Sequence, residues 1–294
     1  MTEVQPASEE GQEERRKFKP HIYHLYPILF SFIATGILGY PIFLARNAII
    51  TPQFTYFPDN PIGAGLNALV FVATLTVSAT GMLLLVRRRK KRALQGLVKA
   101  GLILMSFVVA LWYGSTIASI VNSPISDIEI LLASIGIAAV LASLDYGKNK
   151  VLQAFGVTSV GAATGLFLGA SIPLLTSLAI LVALVLYDTV SVFRGPIGAL
   201  ARNVEVGDLT GAVFNYRDLT IGMGDIVFYS LVETVALLNF GIPSFLAAGA
   251  GVIIGAYLGF RALSRYQVFP GLPFALLLGA GGMLAVALAQ GLPI

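Results

Sequence analysis

Apolar residues in this chain come in long blocks rather than in stripes. Nine apolar segments, at about 22–45, 64–86, 100–121, 128–144, 151–170, 173–193, 221–240, 243–260 and 270–291, are divided by polar stretches. Several exceed the roughly 18 residues that let an α-helix cross a bilayer. The fourth is short, but the Ser126-Asp127-Ile128-Glu129 run ahead of it has the form of a capping box. The fifth and sixth are parted only around Ser171-Ile172-Pro173. Hydropathy alone therefore leaves eight or ten spans open beside nine.

Charge placement decides the count. With the N-terminus inside, 18 of the 19 Lys and Arg residues fall on the inner side of the membrane. They are Arg15, Arg16, Lys17 and Lys19, the RRRKKR run at 87–92 with Lys99, Lys148 with Lys150, Arg194 with Arg202 and Arg217, and Arg261 with Arg265. Only Arg46 is left outside. Positive charge thus marks the inner side at every loop, and a miscounted span would invert all later ones. The expected fold class is an all-α polytopic membrane protein with nine transmembrane helices, the N-terminus cytoplasmic and the C-terminus outside, in the cell membrane. The formal net charge of +4 follows from topology, which removes the case for a nucleic-acid partner.

Composition agrees. The 294 residues are 56% hydrophobic and 12% charged, with a mean hydropathy of +0.84, too little charge to cover a soluble domain. There is no cysteine, which excludes disulfides, thiol catalysis and cysteine-ligated metals. Residues 1–20 are polar and are expected to form a disordered tail, its basic end at the membrane surface, and not a removable signal peptide. Residues 21–294 are expected to form a single membrane-embedded domain. In it a cytoplasmic loop, 194–220, separates segments one to six (22–193) from segments seven to nine (221–291). Glycines at spacing four, Gly161-Gly165-Gly169 and Gly251-Gly255-Gly259, predict faces where helix backbones approach closely in lipid.

Two carboxylates stand out against this background. Asp188 lies five residues before the inner end of segment six, and Asp225 four residues after segment seven begins. At the α-helical rise each sits roughly 6–8 Å inside its helix end, so the two share one depth on the cytoplasmic side. An ionised carboxylate in hydrocarbon is costly and marks a functional site. Two of them a few ångströms apart cannot both be ionised, and a pair sharing one proton can hydrolyse a peptide bond. Gly222 and Gly224 beside Asp225 remove side chains where a substrate backbone would approach. Tyr187 either donates a hydrogen bond near Asp188 or anchors at an interface. Glu233, about 80° round the helix from Asp225 and deeper, is assigned no catalytic role, and Asp208 and Asp218 read as solvated loop residues.

These residues resemble a known family. Tyr187-Asp188 followed by Gly222-Met223-Gly224-Asp225 is similar to the YD and GxGD motifs of presenilins and signal peptide peptidases. Pro270-Gly271-Leu272-Pro273 at the head of the last segment is similar to that family's PAL(P) motif, with glycine replacing alanine; Met223 replaces the commoner leucine or phenylalanine. The stretch after Asp188 also resembles presenilins, in which the helix breaks and a short amphipathic helix follows. The resemblance covers about residues 22–294. It implies a presenilin-like fold and an intramembrane aspartyl protease of GxGD type, with Asp188 and Asp225 as catalytic dyad and Pro270–Pro273 as a loop that positions substrate. Tyr187, Gly222, Met223 and Gly224 support the site, and neither a metal nor a cofactor is implied. The implied partners are transmembrane helical substrates and the lipid bilayer. No obligatory partner subunit is expected of so compact a chain, which looks like a microbial, archaeal homologue, and homo-oligomerisation stays open.

Rival readings fare worse. A zinc intramembrane protease needs His-Glu-x-x-His, which is absent, and a rhomboid-type serine enzyme needs a late histidine, whereas none follows His24. A prepilin-peptidase-like GxGD protease would place its first aspartate in a cytoplasmic loop. A proton- or cation-coupled transporter using Asp188, Asp225 and Glu233 is the alternative from another functional class.

Overall fold

The computed structural model describes residues 20–46, 54–147, 149–194, 213–216, 219–265 and 270–292. Among them, nine helices are long and apolar enough to cross a membrane. They are α1 (Tyr26–Ala45), entered through a 3-10 turn at Ile22–Leu25, α2 (Pro61–Arg87), α3 (Lys91–Ile120), α4 (Asp127–Asp145), α5 (Lys150–Ser171) and α6 (Leu174–Arg194). After a two-stranded ribbon, β1 (Val213–Tyr216) and β2 (Leu219–Gly222), come α7 (Met223–Phe240), α8 (Ile242–Leu263) and α9 (Leu272–Ala289).

Helix starts follow local chemistry. Asn60 caps α2 by accepting the Gly63 N–H at 2.8 Å, with Pro61 at the first helical position, where its missing N–H costs nothing. The capping box of α4 forms as read: Glu129 accepts the Ser126 N–H at 2.8 Å and Ser126 accepts the Glu129 N–H at 3.4 Å. Asp59 accepts both the Thr176 N–H (2.9 Å) and the Thr176 hydroxyl (2.7 Å), which fastens the first turn of α6 to the 54–60 stretch. Asn67 of α2 reinforces that corner, accepting the Phe57 N–H at 3.0 Å and reaching Thr176 at 3.3 Å.

Two departures from the hydropathy reading matter. The helix α3 begins at Lys91, not near residue 100, because Lys and Arg are good helix formers and the end of the basic run simply joins the helix. In the expected polar loop, β1 and β2 pair antiparallel from Val213↔Gly222 to Tyr216↔Leu219. Phe214, Leu219 and Ile221 of the ribbon are buried. The tail up to residue 19, the amphipathic helix expected after α6, and Asp208 and Asp218 lie outside the described residues.

The core centres on α7, where Ile226, Leu231, Val232, Val235 and Ala236 are fully buried. The predicted small-residue faces hold its neighbours. A Cβ at Gly161 would stand 2.9 Å from the Ile226 side chain, and one at Gly169 would stand 2.7 Å from the Thr234 Cβ, so α5 packs directly on α7. Gly251 and Gly255 of α8 press in the same way on the Leu278 and Phe274 carbonyls of α9, while Gly259 has only the Gly271 oxygen near, at 3.9 Å. Large apolar side chains such as Leu69, Val77, Leu132 and Val140 point outward, as lipid-facing positions should.

Candidate active site

Asp188 lies in the closing turns of α6 and is 8% exposed. Asp225 is the third residue of α7, half-buried in its first turn, where the unpaired N–H groups of a helix start favour a negative group. Its position is set by the ribbon: β2 ends at Gly222, which in extended conformation (φ −79°, ψ 137°) is also the residue from which α7 starts. No loop intervenes, so the ribbon aims the carboxyl.

The start of α9 closes the site. The Leu272 N–H donates to Asp188 Oδ2 at 2.9 Å, joining residues 84 positions apart. A Cβ at Gly271 would stand 3.2 Å from Asp225 Oδ2, so the backbone there passes close to the second carboxyl. Gly271 offers its carbonyl to the Tyr229 hydroxyl at 3.1 Å. The Gly271–Leu272 peptide unit therefore receives a hydrogen bond from α7 on one side and gives one to α6 on the other. Both carboxyls lie within electrostatic reach of each other and of the Tyr229 hydroxyl.

The structure thus brings Asp188, Asp225, Gly222, Gly271 and Leu272 together. A Cβ at Gly222 would stand 3.7 Å from Asp225 Oδ2, whereas Gly224 is exposed with open space around it. Met223 packs beside Tyr146 on the cluster formed by Leu94, Val98 and Leu102 of α3, buttressing the motif from behind. Pro270 is buried and Pro273 is half-buried in the first turn of α9. Tyr187 turns away: its hydroxyl is buried without a hydrogen-bond partner among the described residues, and its ring lines a groove on the outside of the bundle. Glu233 is also elsewhere, fully buried with no partner for its oxygens among the described residues and with Thr35 of α1 as the facing hydroxyl.

Tyr229 is the site residue that sequence reasoning missed. It stands four residues, one helical turn, after Asp225 and is 3% exposed. The i,i+4 spacing was visible, but its partner is a carbonyl 42 residues away.

The groove runs between α2 and α6 and measures about 730 Å3. Small residues, Gly65, Ala68 and Ala183, form much of its wall, with Val72 and Val182, and its lining includes Tyr187, next to Asp188 in sequence, and Val190.

The signal-peptide peptidase, presenilin aspartyl protease family matches residues 48–210, a stretch that includes Asp188 and ends before Asp225. No curated protein matches the sequence. Two solved structures share the fold, both of a presenilin family intramembrane aspartate protease. The C222 crystal form gives a TM-score of 0.63 at 17% identity, covering 91% of this chain and 99% of that one. The P2 form gives a TM-score of 0.59 at 19% identity, covering 91% of this chain and 97% of that one.

Proposed function

The chain belongs to the signal-peptide peptidase, presenilin aspartyl protease family, and on that footing we propose that it is an intramembrane aspartyl endopeptidase, with Asp188 and Asp225 as the catalytic pair, that hydrolyses peptide bonds within transmembrane segments of other membrane proteins. One observation carries the reading: the two aspartates, from different helices, converge on one peptide unit at Gly271–Leu272.

The chemistry needs one carboxylate and one carboxylic acid. Backbone N–H groups favour an ionised form at both carboxyls, from Leu272 for Asp188 and from the start of α7 for Asp225, but two like charges so close do not both form. Asp188, which holds the explicit hydrogen bond, takes the role of base. It removes a proton from water as the water oxygen bonds to the scissile carbonyl carbon. Asp225, protonated, donates to the carbonyl oxygen. The tetrahedral intermediate then collapses, the C–N bond breaks, and the leaving nitrogen takes up a proton from the pair. Neither a metal nor a cofactor is required.

A helix must unwind before its backbone can be cut. The α2–α6 groove offers an apolar approach to Asp188, and the β2 strand, paired on one edge by β1, leads straight into Asp225. An unwound segment pairing along that ribbon would satisfy its backbone groups, which lipid cannot do. The positive-inside pattern supports a site at the cytoplasmic end of the bundle, with the cell membrane as the location. Residues 21–294 act as one domain, without obligatory partner subunits.

The test uses purified protein in liposomes with a model transmembrane peptide, cleavage being followed by mass spectrometry. Wild type is expected to cut within the apolar stretch, and Asp188→Asn and Asp225→Asn to be silent. Cleavage persisting in either variant would remove that aspartate from the mechanism. A wild type that cuts no transmembrane peptide but moves protons or cations would replace the reading with a transporter.

A further inference from the structure

We infer that Tyr229 is a positioning residue: its hydroxyl holds the Gly271–Leu272 peptide in the orientation that directs the Leu272 N–H onto Asp188. The inference rests on the proteolytic reading for its kinetic consequence, but its structural part stands on geometry alone. The Tyr229 hydroxyl donates to the Gly271 oxygen at 3.1 Å, and the nitrogen of that same amide donates to Asp188 Oδ2 at 2.9 Å. A peptide unit is planar, with its C=O and N–H pointing in opposite directions. Fixing the carbonyl toward α7 therefore fixes the N–H toward α6. The peptide acts as a rigid crosspiece, and Tyr229 holds one end of it.

The surroundings make the hydroxyl the deciding group. On the N-terminal side Gly271 and Pro270 offer little else to hold the crosspiece, a glycine having no side chain to pack and a proline no N–H to donate. Leu272 on the other side is anchored in the core and leaves the carbonyl end to the hydroxyl. Tyr229 itself is 3% exposed and part of the main core, so its ring is held by packing, and the O–H is carried to a fixed point. Asp225 sits one turn earlier on the same helix, so α7 sets both the second carboxyl and the crosspiece that orients the first. Without the hydroxyl the peptide can rotate, Asp188 loses its donor, and the two carboxyls lose their common alignment.

Tyr229→Phe keeps the ring and removes only the oxygen. In full-length protein in liposomes, kcat on a transmembrane peptide is expected to fall about tenfold, with KM within about twofold of wild type, as for an interaction that orients catalytic groups rather than binding substrate. Amide hydrogen exchange at Leu272 is expected to speed up about tenfold while the α7 amides stay protected, a change that a general loss of stability would not confine to one loop. Unchanged Leu272 exchange, or a loss residing wholly in KM, would overturn the assignment. Wild-type protein supplies a check independent of how the variant folds: a Leu272 amide exchanging as freely as an open loop would also overturn it. Failure of wild type to cleave any transmembrane peptide would strike at the protease reading and leave the exchange result to judge the crosspiece. Normal cleavage with wild-type kinetics in Tyr229→Phe would strike at the crosspiece alone.

Discussion

Gly165 of α5 lies flush against Ser230 of α7: a Cβ at residue 165 would stand 2.6 Å from the Ser230 Cβ, and it would meet the Val227 carbonyl closer still. These two helices meet backbone to backbone, and the helix so held is the one that carries Asp225.

Gly165→Ala should therefore push α7 away from α5. The expected cost is about 1–3 kcal/mol, as for overpacking in a filled core, seen as a lower unfolding midpoint in detergent. Cleavage should fall with it, because Asp225 moves. Gly101→Ala in α3, where an added Cβ meets nothing within 4 Å, should hold or raise the midpoint through its better helix propensity. Equal losses in both variants would mean that backbone approach is not what the α5 glycines provide.

Gly271 is the point where the last helix passes the second carboxyl, and side-chain size there should grade activity. Alanine, the residue the family places there, brings a methyl to 3.2 Å from Asp225 Oδ2, which the carboxyl can yield to by a small rotation. We expect a loss in kcat within about tenfold for Gly271→Ala, against loss of nearly all activity for Gly271→Val, whose branches cannot be cleared by so small a shift. Equal activity in the two would place the backbone farther from Asp225.

The α2–α6 groove predicts a separation of binding from chemistry. Ala183 lies on its α6 wall. Ala183→Trp should fill the groove and raise KM by about tenfold while leaving kcat within about twofold, since the carboxyls are untouched. A fall in kcat at constant KM would assign the approach to another face.

Glu233 offers a test against ion coupling. Its carboxyl is fully buried in the α1–α7 contact with only the Thr35 hydroxyl facing it among the described residues. Replacing an under-satisfied buried polar group by an apolar one of similar volume is neutral or stabilising. Glu233→Leu should keep cleavage and hold or raise the unfolding midpoint, whereas loss of cleavage with an unchanged midpoint would give the carboxyl a part in the reaction.

What could be read from the chain followed range. Nine spans, the Ser126–Glu129 box and the two glycine stripes are short-range or periodic signals, and they survive into the fold. The common depth of Asp188 and Asp225 also follows from counting residues to helix ends, which is why their convergence could be anticipated. The ribbon could not be: strands of four residues, one interrupted by Asn215, give no stretch of alternation long enough to read. Tyr187 and Tyr229 show the remaining limit. Both are tyrosines beside or near one of the two aspartates, yet one lines the α2–α6 groove and the other reaches the Gly271 carbonyl at the site. The difference lies in which way each helix is turned against its neighbours, and that is set by packing across the bundle.

The corner built by Asp59, Asn67 and Thr176 sets the mechanics of α6. It pins the helix at its first turn, while twelve residues on, roughly 18 Å along the axis, Asp188 is joined to α9 by one hydrogen bond. Between these points Ile180, Leu181 and Leu184 keep α6 in the core, so the angle at which the helix packs sets where the carboxyl stands. A tilt of about 5° over that length sweeps the carboxyl through roughly 1.5 Å, half a hydrogen-bond length, with hardly any movement at the first turn. Distance from the anchor turns slight changes of angle in the membrane into the difference between an aligned pair and a separated one.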